Sequence, residues 1–281
     1  MTGVLLGLGA GLCWGAGDFL GGLASKRAHA APVVVWAQIV GVLMLLTAIV
    51  ASGAGLPEPR TMLFGFLGGL SAGTGIFVFY RALAEGTMGV VTAVATTAVL
   101  VPVTVGLATG ERPGTAAGLG VVLVLGGTAL VCIASAARTG SGDLRSAGMA
   151  LIAAACFGTF YVFLDLAADG GALWTVVSAR AASIPLVAAI GLRAGASLRP
   201  PRAGFGVIAA GGIAETAAVL CFAAATNHGL VSLVAVLGSI YPVVTAGIAA
   251  AVLRERLTPA QLAGAAAAMS GALVIAGSRG A

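Results

Sequence analysis

LVSLVAVLGSIYPVVTAGIAAAV, residues 230–252, carries no Asp, Glu, Lys or Arg, and Pro242 alone interrupts its helix-forming character. A helix needs roughly 20 apolar residues, at 1.5 Å rise each, to cross about 30 Å of hydrocarbon. This stretch meets that length. Nine more of its kind flank it, at about 3–24, 31–52, 61–84, 88–108, 114–135, 146–168, 172–194, 203–226 and 259–277. The segments between them are too short to hold a soluble domain. The sequence therefore predicts an all-α polytopic membrane protein with ten transmembrane helices.

Composition agrees. Charged residues make up 8% of the chain, against about 25% in a typical soluble domain, and mean hydropathy is +1.10. Gly is 44 of 281 residues, which suits bilayer helices that pack through small side chains. The formal charge of +5 sits mostly on arginines in short loops, where it speaks of topology and lipid headgroups rather than nucleic acid. Cys13, Cys132, Cys156 and Cys221 fall inside predicted spans without CxxC spacing. Neither a disulfide framework nor a metal site is indicated. Met1-Thr2-Gly3-Val4 has no basic n-region, so the first span is expected to stay in the protein.

The chain repeats itself. Cys13-Trp14-Gly15 recurs as Cys156-Phe157-Gly158, an offset of 143 residues, and Gly68-Gly69-Leu70 recurs as Gly211-Gly212-Ile213 at the same offset. Gly89-Val90-Val91 with Pro102 matches Gly229-Leu230-Val231 with Pro242 at an offset of 140. Gly110-Glu111-Arg112 answers Arg254-Glu255-Arg256 at 144. Two units follow, residues 1–137 and 146–281, with five spans each. Five is odd, so the second unit enters the membrane in the opposite sense. Inverted repeats are frequent among secondary transporters, whose substrate sites lie near the midplane between the repeats.

Two five-span halves, a Pro-bearing fourth span in each (Val101-Pro102-Val103 and Tyr241-Pro242-Val243) and the Glu-Arg corner after it resemble the EamA-type transporters of the drug/metabolite transporter superfamily. The closest local match is Leu-Arg-Glu-Arg-Leu-Thr-Pro-Ala-Gln at 253–261, leading to Gly264 and Gly271. The resemblance covers essentially the whole chain and implies a membrane transporter of small molecules. Two features depart from strict symmetry: the fourth span is shortened in the first half, and Gln38 stands where the second half carries Arg180.

Loops after spans one, three, five, seven and nine hold Lys26, Arg27, Arg81, Arg138, Arg145, Arg193, Arg199, Arg202, Arg254 and Arg256; the other side holds Arg60, Arg112 and Arg279. This bias points to non-cytoplasmic termini, whereas the resemblance implies cytoplasmic ones.

Ionisable residues at membrane depth are costly and mark functional positions. Arg180 and Glu215 stand on spans seven and eight, at equal distance from a turn near 197–198, and so at equal depth. They are expected to form an ion pair or to line one cavity; either the pair is structural, or one member is released to a substrate carboxylate or a proton. Asp18 lies one helical turn after Trp14 on the same face. A desolvated carboxylate there is suited to proton exchange, and the resemblance adds that small multidrug members of the superfamily couple through an acid on the first span. The alternative for Asp18 is that it pairs near Lys26-Arg27 or faces interfacial water. Asp165 and Asp169 are expected at the interface. Trp36, Phe77, Thr96 and the substrate-site candidates Trp14, Gln38, Tyr80, Thr97, Tyr161, Ser239 and Tyr241 complete the expected lining, with helix packing as the alternative for each. Asn227-His228 ends span eight, where a polar cap is expected. Pro102 and Pro242 are expected to kink their helices and serve as paired hinges. Gly7, Gly11 and Gly15, like Gly65, Gly69 and Gly73, form small faces for close packing.

There is no phosphate-binding loop and no HExxH, and the two histidines lack partnered motifs. The function expected is secondary transport of a small organic solute across the cytoplasmic (inner) membrane by alternating access, with export of an amino acid or related metabolite foremost. The alternative is an intramembrane enzyme or lipid-handling protein acting on a prenyl-type substrate, which would need ionisable groups clustered near one headgroup region. Expected partners are the solute and membrane lipids, with no cofactor and no nucleic acid, in a monomer or homodimer.

Overall fold

The computed structural model describes residues 1–25, 28–85, 91, 94–137, 144–200, 204–253 and 257–278. In chain order its helices are α1 (Thr2–Ser25), α2 (Ala30–Ser52), α3 (Pro59–Glu85), α4 (Leu100–Ala108), α5 (Thr115–Ala136), α6 (Leu144–Ala168), α7 (Ala172–Arg193), α8 (Phe205–Thr226), α9 (Val231–Gly238), α10 (Tyr241–Leu253) and α11 (Pro259–Gly277). Among the described residues nine helical stretches are long and apolar enough to cross a membrane, one of them the broken span Val231–Val252, and Thr96–Ala108 is a shorter apolar helix. Part of the expected fourth span (88–90, 92 and 93) lies outside the described residues.

The outward faces are apolar. Leu43, Val50, Ile133, Leu151 and Leu273 are exposed, as lipid-facing side chains must be in the absence of water. Hydroxyls on these helices turn back on their own backbone: Thr47 donates to the Leu43 carbonyl at 2.8 Å and Thr74 to that of Leu70 at 2.9 Å. The run Leu257–Gln261 has a local task. Thr258 Oγ1 accepts from the Gln261 amide at 3.2 Å, Gln261 Oε1 accepts from the Thr258 amide at 2.8 Å, and Pro259 opens α11. This capping box satisfies amides that the helix start would leave bare.

The packing scheme survives exchange of the two halves. Helix α1 packs along α8, and its repeat mate α6 packs along α3; α5 packs against α11, α2 against α7, and α4 against α9. The closest contacts obey the same rule. A Cβ at Gly69 would run into the Ala179 carbonyl, and one at Gly212 would run into the Ala37 carbonyl. Gly120 abuts the Gly271 carbonyl and Gly271 that of Gly120; Gly127 and Gly264 are reciprocal in the same way. An offset of 144 converts one of these pairs into the other. Glycine is needed at such positions because a backbone-to-backbone approach leaves no room for a side chain. The protein is a polytopic membrane fold of two inverted five-helix repeats.

The fourth and ninth spans depart from regular α-helix just before their prolines. In the first half a 3-10 turn, Thr96–Val99, leads into α4, whose third residue is Pro102. In the second half α9 ends at Gly238, and α10 starts at Tyr241 with Pro242 next. Proline lacks an amide donor and crowds the preceding turn, so a second defect develops upstream of it. Val243 and Val244 amides both reach the Ile240 carbonyl, at 2.9 and 3.3 Å. At 1.5 Å per residue, the eight residues of α9 cover only about 12 Å, so two half-helices share this crossing.

Helix α1 closes on the broken span through a stripe of glycines. Gly3 lies on the His228 carbonyl, Gly7 on Leu237, Gly11 on Ile240 and Gly15 on Val244. Thr245 Oγ1 donates to the Gly15 carbonyl at 3.0 Å. The stripe ends there: no atom outside the helix comes within 4 Å of where a Cβ would stand on Gly21 or Gly22. At the other end of α9, Glu111 reaches across from the first half. Its carboxylate accepts from the Val231 amide at 2.6 Å and the Ser232 amide at 3.1 Å, and it sits over Gly106, where a Cβ would collide with it. An anion at a helix N-terminus satisfies bare amides and complements the helix dipole. Glu255, its repeat mate, lies outside the described residues.

Candidate functional site

The ionisable residues inside the membrane gather where α1, α7 and α8 meet. Arg180 of α7 is 7% exposed, and its Nε and Nη2 make no hydrogen bond to the described residues. Glu215 of α8 is its electrostatic neighbour, although no Arg180–Glu215 ion pair of 4.0 Å or less forms among the described residues. Burial of a guanidinium without a bonded partner is expensive, and such groups are expected to face a counter-charge or a polar space.

Glu215 also faces α1. Its Oε2 lies 3.6 Å from where a Cβ would stand on Gly17, the Trp14 indole is near its carboxylate, and Asp18 lies within its electrostatic reach. Glu215 is thus the electrostatic neighbour of both Arg180 and Asp18. Asp18 follows one turn after Gly15, the last glycine of α1 in contact with the broken span, and its side chain is accessible in the fold.

Aromatic rings wall the acidic end. Trp14 and Tyr161 have centroids 5.4 Å apart, Trp14 and Phe222 5.6 Å, and Tyr161 stacks on Phe222 at 4.9 Å and 30°. Tyr161 and Tyr241 both lie within electrostatic reach of Asp18 and Glu215. Phe222 is missing from the lining read in the sequence. A signal for it existed: it stands seven residues after Glu215 on α8 and so on the same face.

Other candidates go elsewhere. Gln38 is buried on α2, and its Oε1 accepts from Ser183 at 2.7 Å. Thr97 is exposed, and its hydroxyl donates to the Val94 carbonyl at 2.7 Å. Ser239 is buried with its hydroxyl donating to the Val236 carbonyl at 2.7 Å, closing the end of α9. Trp36 donates to the Leu198 carbonyl at 2.9 Å, anchoring the segment after α7. Phe77 points outward, and the side chain of Tyr80 lies outside the described residues. Pro102 and Pro242 are both buried at the helix breaks. Asp165 and Asp169 line a separate cavity of about 440 Å³ with Arg60, Leu166, Thr226 and Asn227, at the ends of α6 and α8. His228 is exposed beside it. Among the described residues no group of three or more His, Cys, Asp or Glu could hold a metal ion.

An internally repeated, polytopic membrane fold with a charged cluster between its helices is an arrangement frequent among transporters. The sequence matches the EamA-like transporter family twice, over residues 1–133 and 144–277. The chain belongs to this family, and is a multi-pass membrane transporter of small solutes. No curated protein matches it. A crystal structure of a protein 22% identical in sequence superimposes with a TM-score of 0.81, over 97% of this chain and 96% of that one; at that identity the likeness is one of fold.

Proposed function

We propose that this protein is a secondary transporter of the cytoplasmic (inner) membrane that exports an amino acid or a related metabolite by alternating access. Residues 1–137 and 146–281 act as its two repeats. The observation that carries this reading is the pair of helix irregularities just before Pro102 and Pro242, at matching places in the two halves, with Tyr241 at the second within electrostatic reach of Glu215 and Asp18. Broken helices supply irregular backbone at membrane depth only where it lines a cavity or is buried in protein. The two prolines are the hinges, and the solute binds between the repeats against Trp14, Tyr161 and the three charges. Such a site needs no cofactor. The protein works as a monomer or homodimer among membrane lipids.

Liposome flux tests this. Purified protein should move one class of amino-acid-like solutes, and an inward or outward pH gradient should change the rate if protons are exchanged. Asp18→Asn should then weaken solute binding and abolish the acceleration by the gradient, so that the exchange still measured at high solute concentration no longer responds to pH. Absence of flux for every solute in a broad screen, with protein shown to be inserted and folded, overturns the reading.

A further inference from the structure

The central cluster is unbalanced. It holds two carboxylates, Glu215 and Asp18, for one guanidinium, Arg180, with Glu215 the neighbour of both others and its Oε2 3.6 Å from where a Cβ would stand on Gly17, the residue before Asp18. An α-amino acid whose carboxylate takes the Arg180 guanidinium withdraws the charge that compensates Glu215. Both carboxylates then need a cation. A neutral zwitterion brings one ammonium and leaves one fixed negative charge uncompensated beside the rings of Trp14, Tyr161 and Phe222. An unpaired charge at membrane depth is disfavoured even where a polar space reaches it.

We infer that the solute is an amino acid with a second cationic group on its side chain, its carboxylate on Arg180 and its two cations on Glu215 and Asp18. This deepens the transport reading above and rests on it. Three observations converge. Arg180 is buried with two guanidinium nitrogens free of hydrogen bonds to the described residues, which is the state of a group made to meet a planar anion. Glu215 faces α1, with its Oε2 3.6 Å from where a Cβ would stand on Gly17 and the Trp14 indole near its carboxylate. Asp18 is exposed and so open to a longer side chain. The aromatic faces add cation–π attraction for an ammonium or guanidinium between them.

The experiment is calorimetric binding to the purified full-length protein with four probes. L-lysine carries all three groups; L-norleucine lacks the side-chain amine, cadaverine the carboxylate, and 6-aminohexanoate the α-amine. Lysine should bind, and each of the other three should bind at least tenfold more weakly. Arg180→Gln should weaken lysine at least tenfold and leave cadaverine unchanged, whereas Asp18→Asn should bring lysine down to the level of norleucine. Should the variants fold poorly, the four probes on the unaltered protein decide by themselves. Equal affinity for norleucine and lysine overturns the inference in favour of a neutral zwitterion, and equal affinity for cadaverine overturns the role of Arg180. No binding of any probe, with another solute transported in the flux screen, overturns the inference and leaves the transport reading standing. Lysine binding with the expected ranking but no flux supports the site and sinks the transport reading instead.

Discussion

The two halves of this protein agree in their backbones and disagree in their chemistry. Gly69 and Gly212 press on mated carbonyls of α7 and α2, and the Gly120–Gly271 and Gly127–Gly264 contacts exchange with one another. Yet Arg180 faces Glu215 in one half, while its mate Gln38 accepts from Ser183. Asp18 of α1 has Tyr161 as its counterpart on α6, and Glu215 of α8 has Ala72 on α3. The glycine stripe Gly3-Gly7-Gly11-Gly15 becomes Ser146-Ala150-Ala154-Gly158. Main-chain packing can be duplicated without loss, because each copy buries the same surfaces. A ligand has no such symmetry, so the site that holds it must break the pattern.

The largest effect should come from violating the shared part. Gly69→Val and Gly212→Val each drive a branched side chain into a carbonyl. Each should cost about 3 kcal/mol or more, read as loss of the monodisperse peak in detergent. Mated positions should suffer alike; if one tolerates valine and the other does not, the contact equivalence fails. Next comes the unshared part. Arg180→Gln makes α7 resemble α2 at this level and should lower solute flux at least tenfold, about 1.4 kcal/mol. Moving the charge, with Arg180→Gln and Gln38→Arg together, should not restore flux, because position 38 faces Ser183 rather than Glu215.

A smaller loss is expected at Glu111. Glu111→Ala removes both acceptors at the start of α9 and should lower stability by about 1–2 kcal/mol, visible as a reduced melting temperature. Its effect on α9 should exceed that on α4, which a cysteine-accessibility scan of the two spans can compare. The smallest is Ser183→Ala. Hydrogen bonds between membrane helices average about 0.6 kcal/mol, so the α2–α7 contact should weaken by that order.

The spans were readable from hydropathy alone, since hydrocarbon thickness imposes a length that no soluble core demands. The helix breaks were half readable. Proline marks a missing donor, but how far the disturbance spreads upstream, to Thr96–Val99 in one half and Ser239–Ile240 in the other, depends on packing. Counting residues put Arg180 and Glu215 at one depth, while rotation about each helix axis, which decides whether they touch, leaves no trace in the count. Thr97 shows the converse error: a hydroxyl near a break reads as lining, yet a helix carbonyl within reach claims it. Phe222 escaped because an apolar residue in an apolar span carries no contrast. Glu111 read as a corner residue, and its true partners are amides some 120 positions later.

That last separation has a consequence for how the protein is made. The carboxylate of Glu111 leaves the ribosome long before Val231 and Ser232 exist. Until the eighth span has been inserted and the ninth begun, it has nothing to hold. The start of α9 is therefore secured by a residue already waiting in the bilayer, and a chain cut short after α8 would leave that residue bare. Closure of this joint therefore marks the moment at which the second half reaches its ninth span, and separates a chain that has got so far from one that stopped before it.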